Sequence, residues 1–503
     1  MASEAHRQLL AAYLDVACDL AQNGLEESTR STSTPQDESD GSKDPSSDVS
    51  HHVENDSYTS DPTADAMMRL LARQAHVLLK IHESLASSSH THEIDGNLLQ
   101  RRISDVISIS SSKFYAYRFD LLPAVWREIY TDALILDTLR LILRPLLTSQ
   151  SLPDDVLDVV VEKLDRALVT AGGGRRRQWL EKTLQLLEEA WTTSKQHERP
   201  AKRQRREASP QRSFSSAEPY GRPELSPERA CPRHSGWTME QFEDYMNSNG
   251  GEPRPIVFTD LIGTWPALTD RPWKSPEYLL SKTFGGRRLV PVEVGRSYVD
   301  QGWGQELIQF REFLSRYVEV DSTASAAATG YLAQHNLFQQ IPSLRNDIGV
   351  PDFCWVDVPL HPTTPSIDQA PLDVPQLNAW FGPARTITPL HTDGYHNLLC
   401  QAVGAKYLRL YPPRATPVMR PRSPEHGVNM SNTSGLDVGV LEGWDERPEG
   451  VNEEDIRRMK NELEGVEYWE CVLEPGDTLV IPIGWWHYVR SLSVSFSVSF
   501  WWN

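Results

Sequence analysis

The sequence carries no basic amino-terminal stretch leading into a short apolar core, and no apolar run approaches the roughly 20 residues of a membrane span. A secretory leader and a membrane anchor are therefore not expected. Cysteine is scarce: Cys18, Cys231, Cys354, Cys400 and Cys471 are far apart and form no CxxC pair. This argues against a disulfide frame or a Cys-based zinc module and predicts five buried thiols in a reducing, intracellular setting. Positive charge is in deficit, with 50 Lys+Arg against 69 Asp+Glu and a net charge of −19. Bulk charge would not hold nucleic acid, so strong direct binding to it is not expected, although a local basic patch is still allowed. No repeat of fixed period is present. The 503 residues have room for several domains if about 150 residues is taken as typical.

The amino-terminal part has helical periodicity. Leu9, Leu10, Tyr13, Leu14, Ala17 and Leu20 predict an amphipathic helix from Glu4 to Asn23. Residues 26–62 are rich in Ser, Thr, Asp and Glu and cannot bury enough apolar surface to offset chain entropy, which predicts a disordered acidic loop. Helical spacing returns at Ala64–Leu85, Leu98–Ile109, Leu121–Leu147, Asp155–Val169 and Arg177–Ser194. An all-α domain over residues 1–196, of five or six helices, is expected. Trp126, Trp179 and Trp191 read as core packing, with a partner-binding groove as the other possibility. Whether this half binds an unidentified protein or only supports the other half is left open.

Residues 197–235 read as a linker. Arg199-Pro200-Ala201-Lys202-Arg203-Gln204-Arg205-Arg206 is a basic cluster suited to a nuclear import signal, the alternative being a solvated charge run. Ser209-Pro210 and Ser226-Pro227 are candidate phosphorylation sites that would weaken its charge. A nuclear location is expected, with the cytoplasm as a second compartment.

After Trp237 the pattern changes to short strands divided by Gly and Pro, which points to an antiparallel barrel or sandwich. Strands are expected at Arg287–Gly295, Leu377–Phe381, Asn397–Val403 and Lys406–Tyr411. The clearest alternation closes the chain. Leu492, Val494, Phe496, Val498 and Phe500 share one face, while the intervening serines and Trp501 share the other, and the serine face would leave space for a polar ligand inside a barrel.

Within this half, His391 and Asp393 lie two apart, so on an extended strand both would leave the same face. Downstream, Glu474-Pro475-Gly476-Asp477 reads as a turn, Thr478–Ile481 as a strand, and His487 follows a short loop. Two histidines and one carboxylate are the ligand set of non-haem Fe(II) oxygenases. A Zn(II) hydrolase with a bound water would use the same three residues.

These stretches, with Val290–Gly295, Gly330–His335, Leu377–Pro383 and the Trp486–Trp502 tail, resemble the Jumonji-C domain, a family of Fe(II)- and 2-oxoglutarate-dependent oxygenases in the cupin superfamily. The resemblance covers residues 236–503 and implies an α+β chain in which the helical domain precedes a cupin-like double-stranded β-helix (JmjC) catalytic domain. It implies that His391, Asp393 and His487 hold Fe(II). It further implies that Lys406 pairs with the distal carboxylate of 2-oxoglutarate, helped by Tyr331, Thr388 and Asn397, and that dioxygen is the second cosubstrate. It also carries over Glu293 and Trp303; with Trp501 these would make an acidic, aromatic slot suited to a guanidinium. The expected substrate is a protein arginine side chain, with methyl-lysine demethylation on histone tails as the family's rival and a non-catalytic scaffold as the reading from another class. Residues 412–467, with a short helix at Glu453–Glu464, are longer than the family pattern and bear on access to the site.

Overall fold

The computed structural model describes residues 4–30, 61–87, 95–118, 121–148, 152–198, 212–248, 250, 252–300, 302–320, 329–364, 369–425, 427–448 and 450–503. Most of the acidic stretch and the whole basic cluster at 199–206 lie outside the described residues. Two compact units divide the chain, Met1–Gln204 and Arg205–Asn503.

The described residues of the first unit form six α-helices: α1 Glu4–Arg30, α2 Pro62–Ser87, α3 Gly96–Ala116, α4 Ala124–Leu147, α5 Asp154–Ala171 and α6 Arg177–Glu198. Helix α4 is central because apolar side chains surround it: Ile135, Leu136, Leu139 and Ile142 are fully buried. Its buried polar groups are paired, as burial requires. Asp132 accepts from Arg175 and Arg176, each at 3.0 Å, and Thr138 donates to Tyr13 at 3.1 Å. Gly172, at φ 74°, ends α5 in the left-handed conformation that suits glycine. The three tryptophans anchor their neighbours. Trp126 donates to Asp61, Trp179 to the Ala12 carbonyl and Trp191 to Asp154. One expectation fails here: Cys18 is exposed, because it lies on the polar side of α1, while the other four thiols are buried.

The second unit contains the strands β1 Arg233–His234, β2 Ile256–Phe258, β3 Leu289–Val294, β4 Gly304–Gln309, β5 Gly330–His335, β6 Gln376–Gly382 and β7 Ile387–His391. They continue as β8 His396–Val403, β9 Lys406–Tyr411, β10 Trp469–Leu473, β11 Thr478–Ile481, β12 Trp486–Ser491 and β13 Ser495–Trp502. Nine form one sheet in the order β1-β2-β11-β8-β13-β6-β5-β3-β4, and four form the other in the order β10-β9-β12-β7. Leu399, Leu408, Leu410, Leu479, Trp485 and Val489, contributed by both sheets, pack into one cluster. On the other face of the large sheet, Phe496 stacks on Phe381 with centroids 4.7 Å apart and joins Val498 and Phe500 in a core completed by helices and loops. Each such fully buried side chain contributes about 1.5–3 kcal/mol.

The closing alternation is not one strand. It breaks between Ser491 and Ser495, where the chain passes from the small sheet to the large one opposite the β8–β9 turn. Leu492 N–H donates to the Ala405 carbonyl at 2.8 Å, and the Ser493 hydroxyl accepts from Ala405 N–H at 3.0 Å. Gly404 is required in that turn: its φ is 66°, and a Cβ there would lie 1.9 Å from the Val494 carbonyl oxygen.

The serine face of β13 is consumed by the protein itself. Gln401 bridges Ser495 at 2.9 Å and Ser497 at 2.7 Å, and Ser499 accepts from the Trp380 indole at 2.9 Å. These hydroxyls hold two neighbouring side chains in place rather than line a ligand chamber.

Candidate metal centre and its cavity

Strands β7 and β12 pair antiparallel with His391 directly opposite His487, so the two rings meet with centroids 4.1 Å apart. A bulge follows His487 and re-aims that strand end, as bulges near functional sites do. Asp393 lies beyond the end of β7. It is carried by a loop in which Thr392 N–H donates to the Asn432 carbonyl at 2.8 Å. The shared-face argument from strand alternation therefore does not place it; the loop does. Its two carboxylate oxygens stand 3.6 Å from His391 Nε2 and 3.5 Å from His487 Nε2. All three ligand atoms fall within 4.8 Å of one another.

The donor set is also oriented. His391 Nδ1 lies 2.8 Å from the Pro389 carbonyl and His487 Nδ1 lies 2.9 Å from the Trp485 carbonyl. A carbonyl can only accept, so each Nδ1 carries the proton and each Nε2 turns a lone pair toward the common point. Burial, then the neighbouring His391, push the His487 pKa down to about 4, against the pull of Asp393. That ring is neutral at ordinary pH, as a ligand must be. The set fits a divalent transition metal with open positions.

Lys406, at the start of β9, is fully buried and its amino group donates to the Tyr331 hydroxyl at 3.2 Å. Tyr331 in turn bonds Thr388. No carboxylate pairs with Lys406 among the described residues, and burial drives its pKa down to about 7. Asn397 on β8 is also buried, with its side-chain oxygen unpartnered. A buried cation without a counter-ion among the described residues, beside the Tyr331 hydroxyl and through it Thr388, fits the carboxylate end of a small acid.

A cavity of about 1030 Å³ opens onto two of the triad's members, His391 and Asp393, and is also lined by Tyr331, Thr388, Glu293 and Trp303; His487, Lys406 and Asn397 lie behind its wall. Burial raises the Glu293 pKa, moderated by the adjacent Trp303 indole, whose N–H stops short of a full hydrogen bond. Trp501 is not part of this wall. It stacks on Tyr395 with centroids 5.7 Å apart, while Glu293 and Trp303 line the cavity.

Sequence reasoning missed Tyr298 and Trp380, which also line the cavity. Burial lifts the Tyr298 phenol to about 12. Arg422, Glu425, Met430, Asn432 and Thr433, from the segment longer than the family pattern, also line the cavity, and Thr433 forms a β-bridge to His391. The expected helix in that segment is present at Glu453–Leu463.

Comparison with known proteins bears on the same half of the chain. A family model described as a cupin-like domain matches residues 239–503. Lysine-specific demethylase 8 of Danio rerio is 38% identical over 304 residues, covering 58% of this chain and 66% of that protein. Lysine-specific demethylase JMJ30 of Arabidopsis thaliana is 39% identical over 272 residues, 54% of each chain. Jumonji C domain-containing protein 5 of Drosophila melanogaster is 36% identical over 273 residues, 54% of this chain and 59% of that one. The chain thus spans between about half and two thirds of the length of these curated relatives.

Proposed function

Since the chain belongs to the cupin-like family over residues 239–503, alongside Jumonji-C proteins, we propose that the domain at 236–503 is an Fe(II)- and 2-oxoglutarate-dependent oxygenase that hydroxylates a protein arginine side chain. His391, Asp393 and His487 would hold the iron, and Lys406, Tyr331, Thr388 and Asn397 the distal carboxylate of 2-oxoglutarate. The chemistry that iron supplies when bound is transfer of one atom of dioxygen into a C–H bond, the other entering succinate as 2-oxoglutarate loses carbon dioxide.

The protein's own residues do the rest. The backbone carbonyls behind both histidines keep their Nε2 atoms unprotonated. Lys406 meets an arriving carboxylate as a cation, and the pairing stabilises its charged form. Glu293 carries the choice of substrate: it is a carboxyl largely buried in the triad's cavity, raised by desolvation and lacking a cationic partner among the described residues. A guanidinium entering that cavity would ionise Glu293 and be held against the Trp303 face, which presents the adjoining C–H bonds to the metal position.

A second reading, demethylation of methyl-lysine, draws on the names of two of the relatives and on Trp303, Tyr298 and Trp380, aromatic faces that suit a methylated ammonium. Incubating the purified protein with iron, 2-oxoglutarate and peptides of both kinds separates the two. Mass spectrometry is expected to show one added oxygen on arginine; loss of methyl from lysine with unchanged arginine would reverse the order. A Zn(II) hydrolase would leave Lys406 without a purpose, and succinate release distinguishes it. A non-catalytic scaffold would form none. The nuclear location and a protein-binding role for the helical unit belong to this proposal, and a reporter fused to residues 196–214 tests the former.

A further inference from the structure

Four carboxylates line the triad's cavity, and three of them are engaged: Asp393 belongs to the triad, Asp300 accepts from Arg296 at 2.8 Å, and Glu425 pairs with Arg422 at 2.8 Å. Glu293 is left for an arriving cation. A lone carboxylate attracts any cation, however, and telling a planar guanidinium from an ammonium takes a second acceptor placed beside the first.

Strand pairing supplies one. Glu293 on β3 stands directly opposite Gln305 on β4 and directly opposite Tyr331 on β5. Residues so paired leave the same face of a sheet with Cβ atoms about 4.5–5.5 Å apart, so Gln305, Glu293 and Tyr331 form one row. All three line the cavity. Exposure falls along the row, from Gln305 on the terminal strand of the sheet, which is exposed, through partly buried Glu293 to buried Tyr331, whose phenol accepts from Lys406. The row thus runs from the open side of the cavity toward the lysine.

The two polar neighbours on β4 part company. Glu306 leaves the opposite face and pairs with Arg316 at 3.1 Å, whereas the Gln305 amide has no hydrogen-bond partner among the described residues. Gln334, the other glutamine of the wall, lies at the β5 bulge and outside the row.

We infer that Gln305 determines the preference for arginine over lysine: its Oε1 accepts from one nitrogen of the substrate guanidinium while the Glu293 carboxylate accepts from another. This rests on reading the cavity as an arginine site. An ammonium gathers its N–H groups around a single nitrogen and cannot span the two acceptors as a flat fork does.

The test titrates N-acetyl-arginine amide and N-acetyl-lysine amide into the full chain loaded with Zn(II) and 2-oxoglutarate, so that calorimetry reads binding without oxygen transfer. The wild type should favour the arginine probe about tenfold. Gln305→Leu should weaken that probe about fivefold, the loss of one hydrogen bond to a partly exposed cation, and change the lysine probe by no more than about twofold. Gln305→Glu keeps the acceptor oxygen and should bind arginine at least as tightly as the wild type. Equal losses for both probes, or Gln305→Glu as weak as Gln305→Leu, would overturn the assignment. An arginine preference that survives Gln305→Leu but disappears in Glu293→Gln would overturn it and leave the arginine reading intact, whereas no preference in the wild type would overturn both. A preference that depends on Gln305, in a protein that adds no oxygen to arginine, would sink the hydroxylation reading alone.

Discussion

Lys406→Met should make the protein more stable and inactive at once. The lysine is fully buried, its only hydrogen-bond partner among the described residues is a phenol, and desolvation pushes its pKa from 10.5 down to about 7. Between those two values the unfolded chain holds a proton that the folded one has given up, so stability rises with pH across that window. Below about pH 7 the folded protein carries the whole penalty, which at 1.36 kcal/mol per pKa unit is of order 5 kcal/mol. Relaxation and water entry reduce what a substitution recovers, and about 1–3 kcal/mol is a fair expectation for an unbranched neutral side chain of similar length. For a unit of this size each kcal/mol moves the melting temperature by about 2–4 °C. Thermal melts at pH 7 without 2-oxoglutarate should therefore place the variant several degrees above the wild type, and the gap should close as pH rises toward 10.5. Adding 2-oxoglutarate with a redox-inert metal should raise the wild-type midpoint and leave the variant where it was. A variant less stable than the wild type at pH 7, or one that responds equally to 2-oxoglutarate, would refute the assignment of Lys406 as an uncompensated cation awaiting a carboxylate.

Other outcomes follow from the same geometry. His487→Ala removes one of three convergent ligand atoms and opens a buried space, so metal retained after dialysis and succinate formation should both fall below detection; intact succinate formation would contradict the triad. Gly404→Ala must force apart the β8–β9 turn and the Val494 carbonyl, since its Cβ would lie 1.9 Å from that oxygen at a positive φ. A loss of about 2–4 kcal/mol in urea denaturation is expected, and a neutral result would show that the turn can yield. Asp445→Asn leaves Arg490, held at 2.8 Å, and Arg296 and Arg385, each at 3.4 Å, without their shared carboxylate. Because Asp445 is fully buried, a cost of about 3 kcal/mol should appear in the same assay, and a change under about 0.5 kcal/mol would mean the three guanidiniums find other partners.

The six helices of the first unit were legible because each has an apolar stripe at a period of 3.6, but α1 and α3 each run seven residues past the expected ends, α1 to Arg30 and so into the stretch expected to be a loop from residue 26. Strands β6, β8 and β9 were legible from their Gly and Pro boundaries. The two-sheet break at Ser491–Ser495 was not, since Leu492 and Val494 continue the alternation perfectly; only the opposing turn at Gly404 shows that the chain crosses there. The histidines stood out by type and spacing, and Lys406 through the family resemblance. Trp501 was misplaced because alternation assigns a face without saying which neighbour already occupies it, and Tyr395 does.

The sequence by itself supplied the residue types: two histidines and a carboxylate suited to a metal, with Lys406 and Glu293 marked by the family resemblance. Periodicity also settled which segments are helices and which are strands, because that information is local. The tertiary structure decided convergence. Asp393 reaches the histidines through a loop held by Asn432, the serine hydroxyls are used up on Gln401 and Trp380, and Arg422, Glu425, Asn432 and Thr433 help to wall the triad's cavity. Such pairings join residues far apart in the chain, and no local period encodes them. Hydrogen-bond satisfaction and burial select them only once the two sheets have closed on each other.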